Sequence, residues 1–149
     1  MSESLSLCLE RTIEQPVNWV YAAWIRTTML KAWFGFQPED RLEEAIMELR
    51  PGGAFHWQLH QQDGHQVHYR GRFEEVVPER RLCFTWPAYG IADFRTRVGL
   101  DLAPEGRGCL LVLLHDGLRD RKMHDHYQRG WGHALDRLVA ELPGIRQRQ

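Results

Sequence analysis

The chain has 149 residues, of which 43% are hydrophobic and 26% charged, a composition typical of one soluble globular domain over residues 1–149. Nineteen Lys and Arg residues nearly balance 20 Asp and Glu residues, and the net charge of -1 argues against a nucleic-acid or anionic-membrane partner. No apolar run reaches the roughly 20 residues of a membrane span, and we expect no targeting segment. The three cysteines, Cys8, Cys83 and Cys109, have neither disulfide nor zinc spacing, which favours a reducing, cytoplasmic location.

The first elements in chain order are a strand and two short helices. Leu5, Leu7 and Leu9 alternate with polar residues, which predicts a strand with one buried face. A short amphipathic helix is predicted from Pro16 to about residue 26, on the helical spacing of Val17, Val20, Tyr21 and Trp24. A second helical turn, stopped near Gly35 and Pro38, is expected through Met29, Leu30 and Trp33.

Residues 42–115 are predicted to form six strands, with a first break at residues 50–53. In the first hairpin, a three-residue loop with Gly64 in the left-handed conformation puts every apolar residue on one face. This loop pairs Leu59 with Val67, Trp57 with Tyr69 and Phe55 with Gly71. A two-residue loop would oppose Trp57 and Arg70 and mix the faces, so we reject it.

Two further hairpins are predicted by the same test of faces. A two-residue connection at Pro78 and Glu79 sets Phe73 opposite Phe84. A two-residue turn at Glu105 and Gly106 predicts four pairs in the last hairpin: Leu102 with Cys109, Leu100 with Leu111, Val98 with Leu113, and Thr96 with His115.

A long amphipathic helix is predicted over residues 122–142, ended by Pro143 and Gly144. Its apolar stripe consists of Tyr127, Trp131, Ala134, Leu135, Leu138 and Leu142. The order of strand, two short helices, six strands and one long helix predicts an α+β domain, in which an antiparallel sheet curves around the last helix.

Several segments carry a family resemblance. They are MELRPGGAF at residues 47–55, PERRLCFTW at 78–86 and LLHDGL at 113–118, together with Gly130 and Trp131 on the last helix. In order and spacing they resemble the START-like (SRPBCC) superfamily, and more narrowly its bacterial branch of homologues of the heat-shock protein 90 ATPase activator. The resemblance extends from about residue 5 to 142; where this chain has Cys109, the family frequently has threonine.

The resemblance implies a helix-grip fold: a curved sheet of about seven strands holds the long helix, and a cavity opens between them. It also implies that a small hydrophobic molecule binds in this cavity, where some relatives carry out catalysis. Eukaryotic activators use an additional N-terminal domain to grip the chaperone, and we expect no room for one here. A chaperone partner is therefore not expected, whereas a homodimer is compatible with the sequence.

His115 is the most informative histidine, because the parity of its strand puts it on the apolar face. A buried imidazole needs a hydrogen-bond partner, for which Thr96 is the candidate. The pair either orients a ligand or joins strand and helix structurally. The other predicted ligand-binding residues are aromatic, and they either line a pocket or form plain core together with Trp86 and Tyr21: Trp57, Tyr69, Phe84, Phe94, Tyr127 and Trp131.

No catalytic residue, cofactor or metal site is predicted. The chain lacks an inward carboxylate pair and the motifs of common nucleophiles and phosphate loops, and Glu75 lies where its strand is expected to bulge. His56 and His60 are about 13 Å apart on the polar face of one strand, and His68 lies diagonally opposite. His124 and His126 do not face each other on a helix. These five histidines are interpreted as solvated surface. Arg95 and Arg97 on the outer face of one strand, with Arg70 and Arg72 on another, either form a basic patch or are solvated surface, and the balanced net charge favours the second.

The leading functional hypothesis is binding of a small hydrophobic ligand between the last helix and the sheet, with His115, Thr96 or Tyr69 orienting its polar end. One alternative is an enzyme acting on a hydrophobic substrate in the same cavity, with His115 as general acid or base. A second alternative is an interaction module that modulates a chaperone ATPase.

Overall fold

A computed structural model describes residues 4–88, 91 and 93–149. Its elements follow the predicted order: β1 (Leu5–Ile13), α1 (Val17–Ile25), α2 (Thr27–Trp33), β2 (Arg41–Met47), β3 (Ala54–His60), β4 (Gln66–Val77), β5 (Arg81–Pro87), β6 (Arg95–Glu105), β7 (Gly108–Leu118) and α3 (Arg121–Gln147).

The seven strands form one antiparallel sheet in the order β1-β7-β6-β5-β4-β3-β2. Strand β1 pairs with β7, and every other pair joins strands that are consecutive in the chain. The apolar stripe of α3 is buried against the inner face of this sheet, which is the helix-grip arrangement that the resemblance implied. No helix in the described part of the chain is long and apolar enough to span a membrane.

The hairpin of β3 and β4 has the predicted register. Trp57 lies opposite Tyr69, and Phe55 lies opposite Gly71. Gly64 has a φ of +92°, the left-handed conformation that the loop requires. The alternation of apolar residues therefore defines the register of this hairpin.

The turn between β4 and β5 differs from the prediction. Val77 pairs with Arg81, so three residues connect the strands and not two, and Glu79 has a positive φ. A bulge between Phe73 and Glu75 compensates for the extra residue. Phe73 consequently still lies opposite Phe84, as predicted.

The register predicted for β6 and β7 is wrong by two residues. The observed pairs are Leu102 with Leu111, Leu100 with Leu113, and Val98 with His115. The turn consists of Gly106 and Arg107, because Gly106, with a φ of +59°, takes the first of the two central positions. A shift of two residues keeps the same face buried, so the set of core residues is unchanged.

Helix α3 is longer than predicted. It continues through Pro143 to Gln147. Ile145 is only 1% exposed, and burial of this side chain favours one more turn despite the backbone hydrogen bond that proline removes. At the other end, Asp120 caps the helix by accepting a hydrogen bond from the backbone N–H of Met123 at 2.9 Å.

Candidate functional site

The space between α3 and the sheet contains most of the predicted site residues. Trp131 and Tyr127 come from α3, His115 from β7 and Thr96 from β6, and all four are buried. The sheet also contributes Trp57, Phe84 and Trp86, which are buried, and Tyr69, which is half-buried. Because α3 crosses the inner face, residues far apart in sequence meet in one cluster.

His115 connects α3 to the sheet through both ring nitrogens. The indole N–H of Trp131 donates to Nδ1 at 3.1 Å, and Nε2 lies 2.6 Å from the hydroxyl oxygen of Thr96. Since Nδ1 accepts, Nε2 must carry the proton and donate to Thr96. The Thr96 hydroxyl in turn donates to the carbonyl of Trp86 at 3.0 Å. The predicted partnership of His115 and Thr96 is thus present, although the two residues are diagonal neighbours and not directly opposite.

The environment of His115 keeps the imidazole neutral. The side chain is completely buried, and burial lowers the pKa of His115 to about 3. Tyr127 packs on the imidazole with ring centroids 4.6 Å apart and donates its hydroxyl to the carbonyl of Pro87 at 2.8 Å. With both nitrogens bonded inside the protein, proton transfer to a substrate would require one of these bonds to break.

Trp86 lies at the centre of the aromatic cluster. Its ring stacks on Tyr69 at a centroid distance of 4.6 Å and contacts Trp131 at 5.2 Å. Trp57 lies at 5.6 Å in an edge-to-face arrangement. These distances are the ones that aromatic pairs prefer, so the rings are in direct contact and fix one another.

Two aromatic residues of this cluster were not predicted from the sequence. Phe34 and Phe36 follow α2, in the loop that leads to β2. Phe34 is completely buried and contacts Trp57 at 5.0 Å, while the half-buried Phe36 contacts Trp131 at 5.0 Å and Tyr69 at 5.7 Å. The signal in the sequence was an aromatic residue on each side of Gly35, which we interpreted only as the end of a helix.

A buried carboxylate holds the loop that carries Phe36. Asp40 is 1% exposed, and its Oδ2 accepts hydrogen bonds from the backbone N–H groups of Phe36 at 3.1 Å and Gln37 at 3.0 Å. The Arg137 guanidinium of α3 donates to the carbonyls of Gln37 and Asp40, both at 3.3 Å. Gly130 provides room on α3, since a Cβ there would lie 3.0 Å from Cγ of Phe36. The loop is thereby fixed against the helix.

Three buried indole N–H groups have no acceptor among the described residues: two lie in the cluster between α3 and the sheet, and the third is that of Trp24 on α1, whose ring lies 6.3 Å from that of Trp131. Nε1 of Trp57 and Nε1 of Trp86 are both buried without a hydrogen-bond partner in the part of the chain that the structure describes. By contrast, the indole N–H of Trp33 donates to the carbonyl of Ala23 at 2.9 Å. A buried donor without an acceptor costs about 1–3 kcal/mol, so such groups are exceptions in folded proteins.

Tyr69 adds a hydroxyl to the same region. Burial raises the pKa of Tyr69 far above its ordinary value, and the nearby Tyr127 and Asp40 raise this pKa further. The phenol is therefore protonated at every physiological pH, and the surrounding site favours neutral groups.

Other predicted residues lie outside these ring contacts. Phe94 is half-buried before β6, and its carbonyl accepts a hydrogen bond from the backbone N–H of Ala88 at 2.9 Å. Tyr21 lies on α1, where burial and the charge of Glu79 raise the pKa of its hydroxyl. Glu75 faces outward and pairs with Arg81 at 2.8 Å.

The surface histidines form no metal site among the described residues, since no three His, Cys, Asp or Glu side chains converge there. His56 and His68 are nevertheless in direct contact, with Nε2 of His56 2.8 Å from Nδ1 of His68. His60 lies 3.6 Å from the Glu43 carboxylate. The two imidazoles are thus diagonal neighbours that contact each other on the solvent-facing side of β3 and β4.

Comparisons with known proteins agree with this architecture. The family described as Activator of Hsp90 ATPase homolog 1-like protein matches residues 14–143. A crystal structure of a protein from Nitrosomonas europaea is 27% identical, with a TM-score of 0.82 and coverage of 97% of both chains. An NMR structure of an AHSA1-like protein from Aeromonas hydrophila is 23% identical, with a TM-score of 0.81 and 95% of each chain covered.

A crystal structure of a protein from Chromobacterium violaceum is 23% identical, with a TM-score of 0.81, and the alignment covers 92% of this chain and 96% of that one. No curated protein matches the chain. The last two structural similarities bear on the fold alone.

Proposed function

Because the chain belongs to the family of Activator of Hsp90 ATPase homolog 1-like proteins, we propose that it binds a small, neutral and mainly apolar molecule between α3 and the inner face of the sheet. Affinity comes from burial of the ligand against the aromatic cluster, at about 25 cal/mol per Å² of apolar surface. The polar part of the ligand is an oxygen that accepts a hydrogen bond.

The observation that carries the proposal is the pair of unpartnered indole N–H groups at Trp57 and Trp86. Their rings are adjacent, with centroids 5.6 Å apart. A carbonyl, ether or hydroxyl oxygen placed between α3 and the sheet would supply the missing acceptor, and its binding would recover the cost of the buried donors. A pure hydrocarbon would gain free energy from the burial of apolar surface but would leave the two indole N–H groups without an acceptor.

The charges of the region favour a neutral ligand. The Asp40 carboxylate is buried beside the loop of Phe36, and His115 is uncharged at physiological pH. An anion would meet the negative charge of Asp40, which the Arg137 guanidinium at the Asp40 carbonyl offsets in part, and the uncharged His115 would add no positive charge. A neutral oxygen acceptor avoids this cost.

Phe36 is the ring through which a ligand enters. It is half-buried, it lies on a loop, and it covers Trp131, Tyr69 and Trp86 at centroid distances of 5.0, 5.7 and 6.1 Å. The other rings of the cluster are attached to strands or helices. Among the described rings of this cluster, only Phe36 and the buried Phe34 lie on a loop, so these two can change position by rearrangement of that loop.

His115 and Thr96 act in this proposal as positioning residues. Their hydrogen bonds hold the indole of Trp131 and the backbone at Trp86, which form two walls of the site. Trp57, Tyr69, Phe84 and Tyr127 complete the contact surface, with Phe94 at its margin.

The first experiment is native mass spectrometry of the freshly purified protein, compared with the same sample after denaturation. We expect an additional mass of a small molecule that is lost on denaturation. The second experiment is a titration with acetophenone, a neutral aromatic probe with one carbonyl, followed through the indole N–H resonances in a ¹⁵N correlation spectrum. The Trp57 and Trp86 resonances are assigned with the Trp57→Phe and Trp86→Phe variants.

We expect acetophenone to move the indole resonances of Trp57 and Trp86 downfield, as their N–H groups gain an acceptor. The indole of Trp33, which already donates to a carbonyl, serves as the internal control and does not move. Phe36→Ala is expected to bind the probe at least fivefold more tightly. Trp19→Ala, which changes a half-buried aromatic residue outside the cluster, leaves affinity unchanged.

The proposal is overturned if no mass is lost on denaturation and acetophenone shifts neither indole resonance, in the wild type and in the Phe36→Ala variant alike. It is also overturned if the probe binds with the same affinity after Trp57→Phe and Trp86→Phe, since the indole N–H groups would then have no part in recognition.

A further inference from the structure

A cleft on the sheet is lined mainly by residues of β2, β3, β4 and β6, and none of them belongs to the site of the proposed function. The backbone ladder between β4 and β5 extends only from Val77 to Phe73 of β4. Beyond it, the backbone N–H of Arg72 donates to the side-chain hydroxyl of Thr85 at 2.9 Å. Past this point the described residues of β4 and β5 are not paired in the ladder. Arg70, Arg72 and Arg95 line the cleft, which has a volume of about 370 Å³.

The positive charge of this cleft is only partly balanced by its own lining. Its lining contains one carboxylate, that of Glu48. Oε1 of Glu48 accepts a hydrogen bond from the backbone N–H of Ala54 at 3.2 Å, and Oε2 pairs with Arg50 at 2.9 Å. Both oxygens are thus engaged, and the Ala54 N–H, the charge of Arg50 and the charge of the nearby Arg72 lower the pKa of Glu48.

The arginines of the cleft differ from their neighbours on the same outer face. Arg97 pairs with Glu74, and Arg81 pairs with both Glu75 and Asp101. Within the described residues, the side chains of Arg70 and Arg95 make no ion pair or hydrogen bond, and Arg72 donates only to the carbonyl of Gly52 at 3.0 Å.

The remaining lining is apolar. Ile46 is 60% exposed at the rim, which is unusual for a large aliphatic side chain. Ala54, Phe55 and Gly71 line the cleft between Ile46 and the arginines. The volume falls in the range of small-molecule sites, and an exposed apolar rim beside guanidinium groups suits a ligand with both an apolar and a charged part.

We propose that this cleft binds a small amphiphilic oxyanion, a carboxylate or phosphate monoester that carries an apolar group. The guanidinium groups of Arg70 and Arg95 hold the oxyanion, since a planar guanidinium donates two parallel hydrogen bonds to such a group. Arg72 adds positive charge, and the apolar group packs on Ile46 and the wall at Phe55. Of the four outer-face arginines, Arg70, Arg72 and Arg95 belong to the cleft in this proposal, whereas Arg97 is paired with Glu74.

Isothermal titration calorimetry with phenyl phosphate tests this proposal at low salt, and benzoate, inorganic phosphate and benzyl alcohol are the comparison probes. We expect phenyl phosphate or benzoate to bind, and the tighter of the two identifies the oxyanion. Inorganic phosphate, which lacks the apolar group, and benzyl alcohol, which lacks the charge, should each bind at least fivefold more weakly. Added salt weakens binding, because the contacts are partly exposed.

Arg70→Gln and Arg95→Gln should each weaken binding of the preferred probe about tenfold, the effect of losing a charged hydrogen bond. Arg97→Gln is the matched control, since it removes the same charge two residues from Arg95 but from a guanidinium that already has a carboxylate partner. It should change the affinity less than twofold. These side chains are exposed, so circular dichroism and thermal unfolding should confirm that all three variants fold.

NMR spectroscopy locates the bound probe independently of the affinity measurements. Bound probe should shift the backbone resonances of His56 and Gly71, which line the cleft. Failure of phenyl phosphate and benzoate to bind would overturn the proposal, as would equal affinities for the Arg70→Gln and Arg97→Gln variants. Equal binding of inorganic phosphate would overturn the assignment of an amphiphilic ligand.

Discussion

Acidification from pH 7.5 to pH 5.0 should destabilise the protein through His115 in particular. The imidazole is completely buried, and its Nδ1 accepts a hydrogen bond from Trp131. Protonation would place a second proton on Nδ1, facing a donor, and no carboxylate among the described residues pairs with this imidazole. The folded state therefore resists protonation that the unfolded chain accepts freely.

The magnitude follows from the two pKa values of His115, about 3 in the folded protein and 6.5 as the ordinary value. Because the folded pKa is depressed, the unfolded state binds more protons between these values, and stability falls as the pH decreases through this window. Above pH 6.5, His115 is neutral in both the folded and the unfolded state, so it causes no loss of stability. At pH 5.0 the titration of His115 lowers the free energy of unfolding by about 2 kcal/mol relative to neutral pH, and this loss of stability levels off below about pH 3.

Urea unfolding followed by tryptophan fluorescence at pH 7.5 and pH 5.0 measures this loss, with His115→Gln as the comparison variant. The glutamine amide can donate to Thr96 as Nε2 does, but it does not titrate. His56 and His126, whose pKa values are also lowered by burial, titrate in both proteins and cancel in the comparison. We expect the wild type to lose about 2 kcal/mol more than the variant.

Equal losses in wild type and variant would refute the reasoning, because the imidazole would then accept a proton in the folded protein at no cost. A variant that is less stable at both pH values but loses about 2 kcal/mol less than the wild type on acidification still supports it, since only the difference between the two pH values reports on the titration of His115.

Three substitutions on α3 should change stability through separate mechanisms, each measurable by urea unfolding at neutral pH. Asp120→Ala removes the acceptor for the Met123 N–H and should cost about 1 kcal/mol; an unchanged midpoint would contradict the role of the cap. Gly132→Ala, whose new Cβ would approach only Nη2 of Arg11 at 3.9 Å, should stabilise the helix by about 0.5–1 kcal/mol. Gly130→Ala should lack this gain and be less stable than Gly132→Ala, because its Cβ would press on the ring of Phe36 at 3.0 Å; equal stability would show that the ring yields freely.

His115 links α3 to the sheet through a series of buried hydrogen bonds. Trp131, His115 and Thr96 form a continuous series of hydrogen bonds that ends on the backbone of β5 at Trp86. Each member is buried, so the loss of any one leaves a polar neighbour without a partner. In the proposed function, this series keeps two walls of the ligand site in place.

The sequence by itself determined the order of the elements and the faces that they bury. Alternation along a strand and the spacing of 3.6 residues on a helix are local properties, so the inward positions of Trp57, Tyr69 and His115 could be predicted without a partner in view. The register of β3 and β4 followed as well, because the wrong register would have exposed Trp57. The register of β6 and β7 did not follow, since a slip of two residues buries the same face and only the backbone of Gly106 decides between the two.

The tertiary structure alone decided which polar groups are satisfied and which are not. Trp86 and Trp131 have the same side chain and are equally buried, yet only the indole of Trp131 meets an acceptor. In the same way, Arg97 meets a carboxylate from another strand while Arg95 meets none among the described residues. Hydrogen bonds and ion pairs join residues far apart in the chain and require alignment within a few tenths of an ångström. No local pattern carries that information, because it arises only when the strands, the loop of Phe36 and α3 come together.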